Sequence, residues 1–307
     1  MARRYWLLLN ARLVASLAAA AALLVVLVVL PAYVARGLLH PPRCSCDVAL
    51  SDYGVSYVNF TARALDGVAV SGWIVAPENE GSVFVLLHPY GGCRSAPPVL
   101  NLSLELARRG YVVVVFDFRG HGCSGGVSTL GVKEMLDAKA AINYVASRYP
   151  DRRIYLAGFG MGASVAVIEA ASDPLVAGVV ADAPYCRLAG FLDKLVRLRT
   201  HLPLSSLVAA YTRLFYHTIL DTGFGPCMLG GVEKPLLVFH EEGDPLVSRS
   251  DAEHVAALSP CSRLVEVPDA GHAEAIEKLG AAKYVDIVEE YFANATRACP
   301  IGWPPTG

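Results

Sequence analysis

The chain has 307 residues, 54% of them hydrophobic, which is enough for one large domain with a substantial core. Its 26 basic and 28 acidic side chains nearly balance, and no basic patch interrupts the body of the sequence. This balance excludes the electrostatic signature of a nucleic-acid-binding protein, so no nucleic-acid partner is expected. Glutamine is absent, and such a depletion of thermolabile amides favours a protein that works at high temperature.

An uncharged apolar segment lies near the N-terminus, at residues 13–35. At about 1.5 Å of rise per residue it covers the roughly 30 Å hydrocarbon core of a bilayer. Arg3, Arg4 and Arg12 precede it and only Arg36 and one further arginine follow closely, so the positive-inside bias favours an extracytoplasmic body. A cleaved signal peptide is the alternative, but the run is long for one and no clean small-x-small site follows.

The sequence therefore predicts a single-pass protein of the cell membrane. We expect its segments to be a cytoplasmic N-terminus at 1–12, a transmembrane signal anchor at 13–35, a linker at 36–50, an α/β domain at 51–299 and a tail at 300–307.

Apolar patterns in the body alternate between strand and helix. Residues 55–61 and 68–76 alternate as an antiparallel hairpin does, whereas the later apolar runs are continuous, which is typical of buried parallel strands. These runs lie at 83–88, 111–117, 153–158, 176–182 and 236–240. Amphipathic helices are predicted at 99–109, 132–148, 161–171, 251–258 and 273–292. The alternation predicts a doubly wound α/β sheet, with a helical lid inserted at 185–231.

Residues that follow the predicted strands are the candidates for a functional site, because sites of open parallel sheets lie beyond the carboxyl ends of the strands. They are the loop 88–92 (HPYGG), the loop 117–124 (DFRGHGCS), the turn 158–162 (GFGMG), Asp182, Asp244 and His272.

In combination these motifs resemble the α/β-hydrolase superfamily, in particular the serine-hydrolase branch of esterases, acylglycerol lipases and S33- or S9-like peptidases. The resemblance runs from about residue 55 to residue 292. It rests on four motifs: an HGxGG-like loop at 88–92, a DxRGxGxS loop at 117–124, the acid Asp244 in the sequence GDPLV, and His272 in a GH pair. It implies an α/β-hydrolase fold, a mostly parallel doubly wound sheet with a helical lid insert.

The resemblance also implies that the catalytic nucleophile is absent. The family carries its serine in the middle of a GxSxG turn between a strand and a helix. Here the strand, turn and helix are in place, but the middle residue is Gly160, which has no nucleophile. The strained backbone of such a turn suits glycine, so the fold loses nothing by the replacement.

The remaining machinery is present in the family's chain order. Asp244 and His272 are the expected acid and histidine of a triad, although a hydrogen bond that merely braces two loops explains the pair equally well. Backbone N–H groups of Tyr90 and Met161 are the expected oxyanion hole, with Pro89 replacing the family's usual glycine in that loop. Asp182 is a second candidate acid, at a position where the family usually has a bracing residue.

Two serines compete for the missing role. The stretch 122–126 (GCSGG) matches GxSxG letter for letter, but it follows an earlier strand and opens into a loop. The resemblance implies instead that Ser124 braces the DxRGxGxS turn. Ser164 lies one helical turn beyond Gly160 and is predicted to be a small packing residue.

Eight cysteines without paired CxxC clusters favour disulfides over a metal site, and no metal or cofactor is expected. Disulfides usually mean an extracytoplasmic compartment, with hyperthermophile cytosol as the exception. From their positions in the family's order we expect the pairs Cys93–Cys123, Cys186–Cys227 and Cys261–Cys299. A cysteine nucleophile is the competing hypothesis for the first pair, although neither residue occupies the elbow.

Two functions from different classes follow. The first is a noncatalytic, membrane-anchored α/β-hydrolase domain that binds a small acyl, ester or peptide ligand under its lid. The second is a hydrolase that still turns over, using water activated by His272 or a substitute nucleophile. Serine and glycine codons can differ by one base, so a strain variant, a sequencing error or an engineered replacement also explains Gly160.

Overall fold

An eight-stranded sheet forms the centre of the computed structural model, which describes residues 2–45, 50–216, 220 and 223–298. The strands are β1 (Tyr57–Arg63), β2 (Ala69–Val75), β3 (Val83–Leu87), β4 (Val112–Phe116), β5 (Ile154–Phe159), β6 (Val176–Asp182), β7 (Leu236–Glu241) and β8 (Ser262–Val267). Their order in the sheet is β1-β2-β4-β3-β5-β6-β7-β8.

The direction of the strands follows their apolar pattern. The predicted hairpin β1–β2 is antiparallel, β2 pairs antiparallel with β4, and every other pair is parallel. Strands β3 to β7 are buried along their whole length, as their continuous apolar runs predict. The continuous apolar runs do not predict strand β8. It is an edge strand whose residues are mostly half-exposed, so its sequence has no continuous apolar run.

Ten α-helices are described. They are α1 (Ala2–Leu24), α2 (Leu30–Leu39), α3 (Pro97–Arg108), α4 (Glu134–Arg148), α5 (Met161–Ser172), α6 (Leu188–Thr200), α7 (Ser205–Phe215), α8 (Arg249–Ala256), α9 (Ala275–Leu279) and α10 (Ala281–Ala298). The single helix predicted at 273–292 is two helices, α9 and α10, because Gly280 adopts a positive φ of 81° between them.

Helices cover both faces of the sheet. On one face, Phe292 of α10 packs against the ring of Tyr155 in β5, with 4.5 Å between the ring centroids, and α3 packs beside α10. On the other face α5 lies directly against β5, where Gly158 approaches the backbone of Gly162, and α4 packs beside α5. The chain therefore has the α/β-hydrolase fold that its motifs predict.

The N-terminal apolar segment is helical and longer than the predicted span. Helices α1 and α2 run into each other through a π-helical stretch at Val25–Val29, and the stretch Asn10–Leu39 is long and apolar enough to cross a membrane. Its most apolar part is unburied. Helix α2 instead buries Val34, Ala35, Leu38 and Leu39, because it packs against α7 of the lid insert.

Beyond α2 the chain is fastened to the loops at the carboxyl ends of the strands. The Arg43 guanidinium donates to the backbone oxygens of Gly122 and Ser124, at 3.1 and 2.6 Å. Cys44 forms a disulfide with Cys93 in the loop after β3. The predicted pair Cys93–Cys123 is therefore wrong, because the segment that follows α2 brings Cys44 to within 6.3 Å of Cys93 between α-carbons.

The lid insert, between β6 and β7, forms a cap of two helices, α6 and α7. Its ends are joined by the predicted disulfide Cys186–Cys227, which is confirmed, and by a hydrogen bond from the Cys227 N–H to the Cys186 oxygen at 3.1 Å. The Leu188 N–H also donates to the oxygen of Phe224 at 2.7 Å. The pair Cys261–Cys299 stays a prediction, since Cys299 lies outside the described residues.

Removal of the cap disulfide is expected to loosen the cap. The bond closes a loop of 41 residues, for which chain entropy gives a stabilisation of about 3–4 kcal/mol. Replacing Cys186 and Cys227 together by alanine should lower the free energy of unfolding by up to this amount in urea titrations. Limited proteolysis should then cut first between residues 188 and 228. Early cuts spread over the sheet would contradict a local effect.

Candidate active site

A sharp turn joins β5 to α5 at Gly160, whose φ and ψ are 53° and −113°. L side chains rarely adopt this conformation, and glycine does so without a steric penalty. The turn is fixed by a hydrogen bond of 2.8 Å from the Gly160 N–H to the backbone oxygen of Asp182 at the end of β6. The backbone thus has the strained geometry of a nucleophile elbow with no side chain on it.

Close packing on either side of the turn requires the two flanking glycines. A β-carbon on Gly158 would lie 2.3 Å from the oxygen of Gly162, and one on Gly162 would lie 2.1 Å from the oxygen of Leu87. Neither separation is sterically possible, so only glycines let α5 approach β3 and β5 this closely. The spacing of the GFGMG motif is therefore explained by packing.

Asp244 and His272 are brought together from two different loops, the loops after β7 and β8. His272 Nδ1 lies 2.7 Å from Asp244 Oδ2. The other carboxylate oxygen accepts the N–H groups of Leu246 at 2.7 Å and Val247 at 2.9 Å, and the Asp244 side chain is fully buried. An acceptor at Nδ1 holds the proton on that nitrogen, which leaves the lone pair of the imidazole on Nε2.

The imidazole is directed at the empty nucleophile position. A β-carbon on Gly160 would lie 2.8 Å from His272 Nε2 and 3.3 Å from its Cε1. Nε2 therefore faces the α-carbon of Gly160, and the ring occupies part of the space that a serine there would need. Among the described residues, no side-chain hydroxyl or thiol forms a hydrogen bond with His272.

The predicted oxyanion-hole donors border the same point. Pro89 lies beside the elbow. Its Cβ is 3.5 Å from the position that a β-carbon on Gly160 would occupy, and Tyr90 is the next residue. Met161 begins α5, so its N–H is one of the first-turn groups that the helix itself leaves unpaired. An anionic oxygen above Gly160 would meet N–H groups from both sides, and their assignment as oxyanion-hole donors stays a prediction.

Two buried histidines position the loop after β3, a role that the motifs alone did not reveal. His88 Nε2 accepts the N–H of Phe118 at 2.9 Å, and its Nδ1 donates to the oxygen of Pro89 at 2.8 Å. His121 Nε2 accepts the N–H of Gly91 at 3.1 Å. Burial lowers the pKa of both imidazoles, so they stay neutral and can accept these backbone bonds.

The competing nucleophiles are engaged elsewhere. Ser124 is buried, and its hydroxyl donates to the oxygen of Asp117 at 2.5 Å while accepting the N–H of Ser71 at 2.9 Å, so it braces the loop as predicted. The buried hydroxyl of Ser164 donates to the oxygen of Tyr185 at 3.1 Å. Cys93 is in a disulfide, and none of the described cysteines is free.

Asp182, the second candidate acid, does not approach His272. Its carboxyl is fully buried beside Glu241, at the end of the neighbouring strand, and Tyr284 of α10. No hydrogen bond of good geometry within the described residues satisfies the carboxyl oxygens of either acid. Burial, reinforced by the neighbouring carboxyl, raises the pKa of Asp182 well above its ordinary value, and burial raises the pKa of Glu241.

The cap covers this site from above. Phe191 of α6 lies near His272, with 6.1 Å between their ring centroids, and packs against Tyr185 at 5.1 Å. The His272 side chain keeps 18% of its surface exposed. The space over Gly160 is therefore bordered by the apolar ring of Phe191 and by the imidazole of His272, which can accept a hydrogen bond. No group of three or more His, Cys, Asp or Glu side chains within the described ranges could hold a metal ion.

The strained elbow between β5 and α5 and the Asp–His pair from the loops after β7 and β8 form an esterase-like arrangement on the α/β-hydrolase fold. Comparison with known families agrees. A sequence model of the S33 serine aminopeptidase family matches residues 79–219, a region that contains Gly160 but ends before Asp244 and His272. Fold and family model together support the α/β-hydrolase superfamily for this chain.

Individual relatives are similar at a modest level of identity. The uncharacterised protein YfhR of Escherichia coli O157:H7 is 25% identical over 249 residues, which cover 77% of this chain and 78% of YfhR. An uncharacterised protein of Mycobacterium tuberculosis is 29% identical over 213 residues, 67% of this chain and 69% of that protein. Among solved structures, an esterase of Pyrococcus furiosus is 27% identical, with a TM-score of 0.70 over 84% of this chain and 98% of the esterase.

Replacing Asp182 by asparagine should flatten the dependence of stability on pH. Because its pKa is raised in the folded chain, the folded state keeps a proton that the unfolded state releases above the ordinary carboxyl value of 3.8. The contribution of protonated Asp182 to the free energy of unfolding is therefore complete below that value and is lost as pH rises toward the raised pKa. Asp182→Asn should melt higher than wild type at pH 8, by roughly 4 °C, and by less at pH 5.

The matched control is Asp151→Asn at an exposed turn. Its melting temperature should differ from that of the wild type by the same amount at both pH values. Curves of melting temperature against pH that run parallel for Asp182→Asn and wild type would contradict a neutral, buried Asp182.

Proposed function

We propose that the chain is a membrane-anchored α/β-hydrolase-fold protein with weak or no catalysis, which binds a small acyl, ester or peptide ligand beneath its cap. One observation carries this proposal. His272 Nε2 faces the α-carbon of Gly160, at the point where the attacking oxygen of a serine hydrolase stands, and the ring fills part of that space. The general base is thus present and its nucleophile is not.

The surviving groups suit a ligand that contains a carbonyl. Such a ligand offers an oxygen acceptor to the N–H groups of Tyr90 and Met161, and an adjacent N–H or O–H donor to His272 Nε2. Its apolar part would lie under Phe191. None of these contacts depends on a side chain at position 160, so the loss of the serine removes the covalent step and leaves the binding groups in place.

The anchoring part of the proposal rests on the N-terminal helix. Its most apolar stretch is unburied in the structure, which suits a bilayer better than water. The basic residues ahead of it favour a cytoplasmic N-terminus. The disulfides Cys44–Cys93 and Cys186–Cys227 suit an extracytoplasmic body.

A slow hydrolase is the second candidate, and the tautomer of His272 favours it. With its proton held on Nδ1 by Asp244, Nε2 can take a proton from water while the hydroxide attacks the carbonyl carbon. The tetrahedral intermediate would then expel the alcohol or amine, which takes the proton back from His272. Hydrolases without their triad keep roughly 10³ to 10⁴ over the uncatalysed rate, so this turnover is slow.

The deciding experiment restores the nucleophile. Gly160→Ser should gain hydrolysis of short-chain chromogenic esters by at least about 10³-fold and should become labelled by a fluorophosphonate probe, because the Asp244–His272 pair is already in place. The ring of His272 must shift by a few tenths of an ångström to admit the new side chain. The native chain should remain unlabelled.

Two controls isolate the hydroxyl. Gly160→Ala adds the same β-carbon without the oxygen and should gain nothing. In Gly160→Ser/His272→Ala the serine has no base, so the gain should disappear. If the native chain turns over esters at ordinary enzyme rates of about 10 s⁻¹, the proposal of weak or absent catalysis is wrong. If Gly160→Ser gains nothing while remaining folded, the site no longer has a hydrolase's geometry.

A further inference from the structure

A groove runs between α2 and the end of α6, outside the site described above. Its volume is about 660 Å³. Leu30, Tyr33 and Val34 line it where the N-terminal helix reaches the body, and the Arg36 and Arg199 side chains line it further along. An apolar wall and a cationic wall thus follow each other along one groove.

The cations of this groove have no acidic partner. Neither Arg36 nor Arg199 forms an ion pair with a carboxylate in the part of the chain that the structure describes, and both are exposed. Arg199 lies over the ring of Tyr90, with 5.7 Å between its Cζ and the ring centroid. His40 lines the same end of the groove. The uncompensated positive charge is complementary to an anionic group.

The surface beside the groove is apolar on its outer side. Helix α7 packs against α2 through its inner face, which includes the buried Val208. On its outer face Leu207, Leu214 and Phe215 are 39%, 69% and 58% exposed. Exposed apolar side chains next to a helix that can span a bilayer are typical of a surface that contacts lipid.

We propose that the groove between α2 and α6 binds an anionic phospholipid of the membrane that holds the N-terminal helix. The phosphate of the headgroup is paired with Arg36 and Arg199, and an acyl chain lies along Leu30 and Val34 toward the bilayer. The groove starts at the body end of the membrane-spanning helix, so a lipid of the adjacent leaflet reaches it without leaving the membrane. The inference rests on the proposed anchoring.

The test uses the full chain in phosphatidylcholine nanodiscs with trace spin-labelled phosphatidylglycerol or spin-labelled phosphatidylcholine. Electron paramagnetic resonance measures the motionally restricted fraction of each lipid. Because two arginines attract the anionic headgroup, the chain should bind phosphatidylglycerol more strongly than phosphatidylcholine by a factor on the order of ten. Arg36→Gln/Arg199→Gln should reduce the preference to about one, while Arg36→Lys/Arg199→Lys should keep most of it, because the charges remain.

The control Arg108→Gln/Arg148→Gln makes the same change in net charge at two exposed arginines on other helices, and should keep the wild-type preference. If the groove variant keeps the preference, or the control loses it equally, the groove is not the binding site and the inference is wrong. A chain that fails to co-elute with nanodiscs instead refutes the anchoring. Equal melting temperatures of the variants exclude misfolding as the cause.

Discussion

The close approach of α5 to the sheet is the constraint on which the site depends. Because Gly158 and Gly162 bring backbone against backbone, the chain between them must turn within one residue, and Gly160 takes a positive φ to do so. This turn directs its α-carbon at the imidazole of His272 and at the loop of Pro89. The site is thus a consequence of helix–sheet packing.

The loops around this turn are held by backbone hydrogen bonds to buried side chains. His88 and His121 accept N–H groups of neighbouring loops, and the Ser124 hydroxyl ties the end of β4 to β2. The bond to His88 satisfies the N–H of the buried Phe118, which would otherwise remain unpaired at a cost of about 1–3 kcal/mol. The N-terminal segment adds a covalent tie through Cys44. The N-terminal helix is consequently joined to the cap by packing and to the loop after β3 by a disulfide.

The sequence predicts the parts of this fold in which one segment determines its own structure. Strands buried on both faces show continuous apolar runs, and the position of Gly160 is evident from its motif. Contacts between distant segments give no such pattern. Packing of α2 on the cap and the bond from Cys44 to Cys93 depend on where the N-terminal helix and the segment after it lie on the body. The burial of Asp182 beside Glu241 likewise depends on the register of β6 with β7, which a single carboxyl in the sequence does not reveal.

Under the proposed function, the loss of a serine at position 160 would differ physically from a loss of Asp244 or His272. Removing a hydroxymethyl group from a strained turn relieves backbone strain and leaves no buried polar atom unpaired. The Asp244 side chain, in contrast, is fully buried, and its carboxylate accepts two backbone N–H groups and a hydrogen bond from His272. Without the imidazole, one carboxylate oxygen would remain buried and unpaired, at a cost of several kcal/mol. Fold stability therefore favours the Asp–His pair independently of catalysis, whereas it does not require a side chain at position 160.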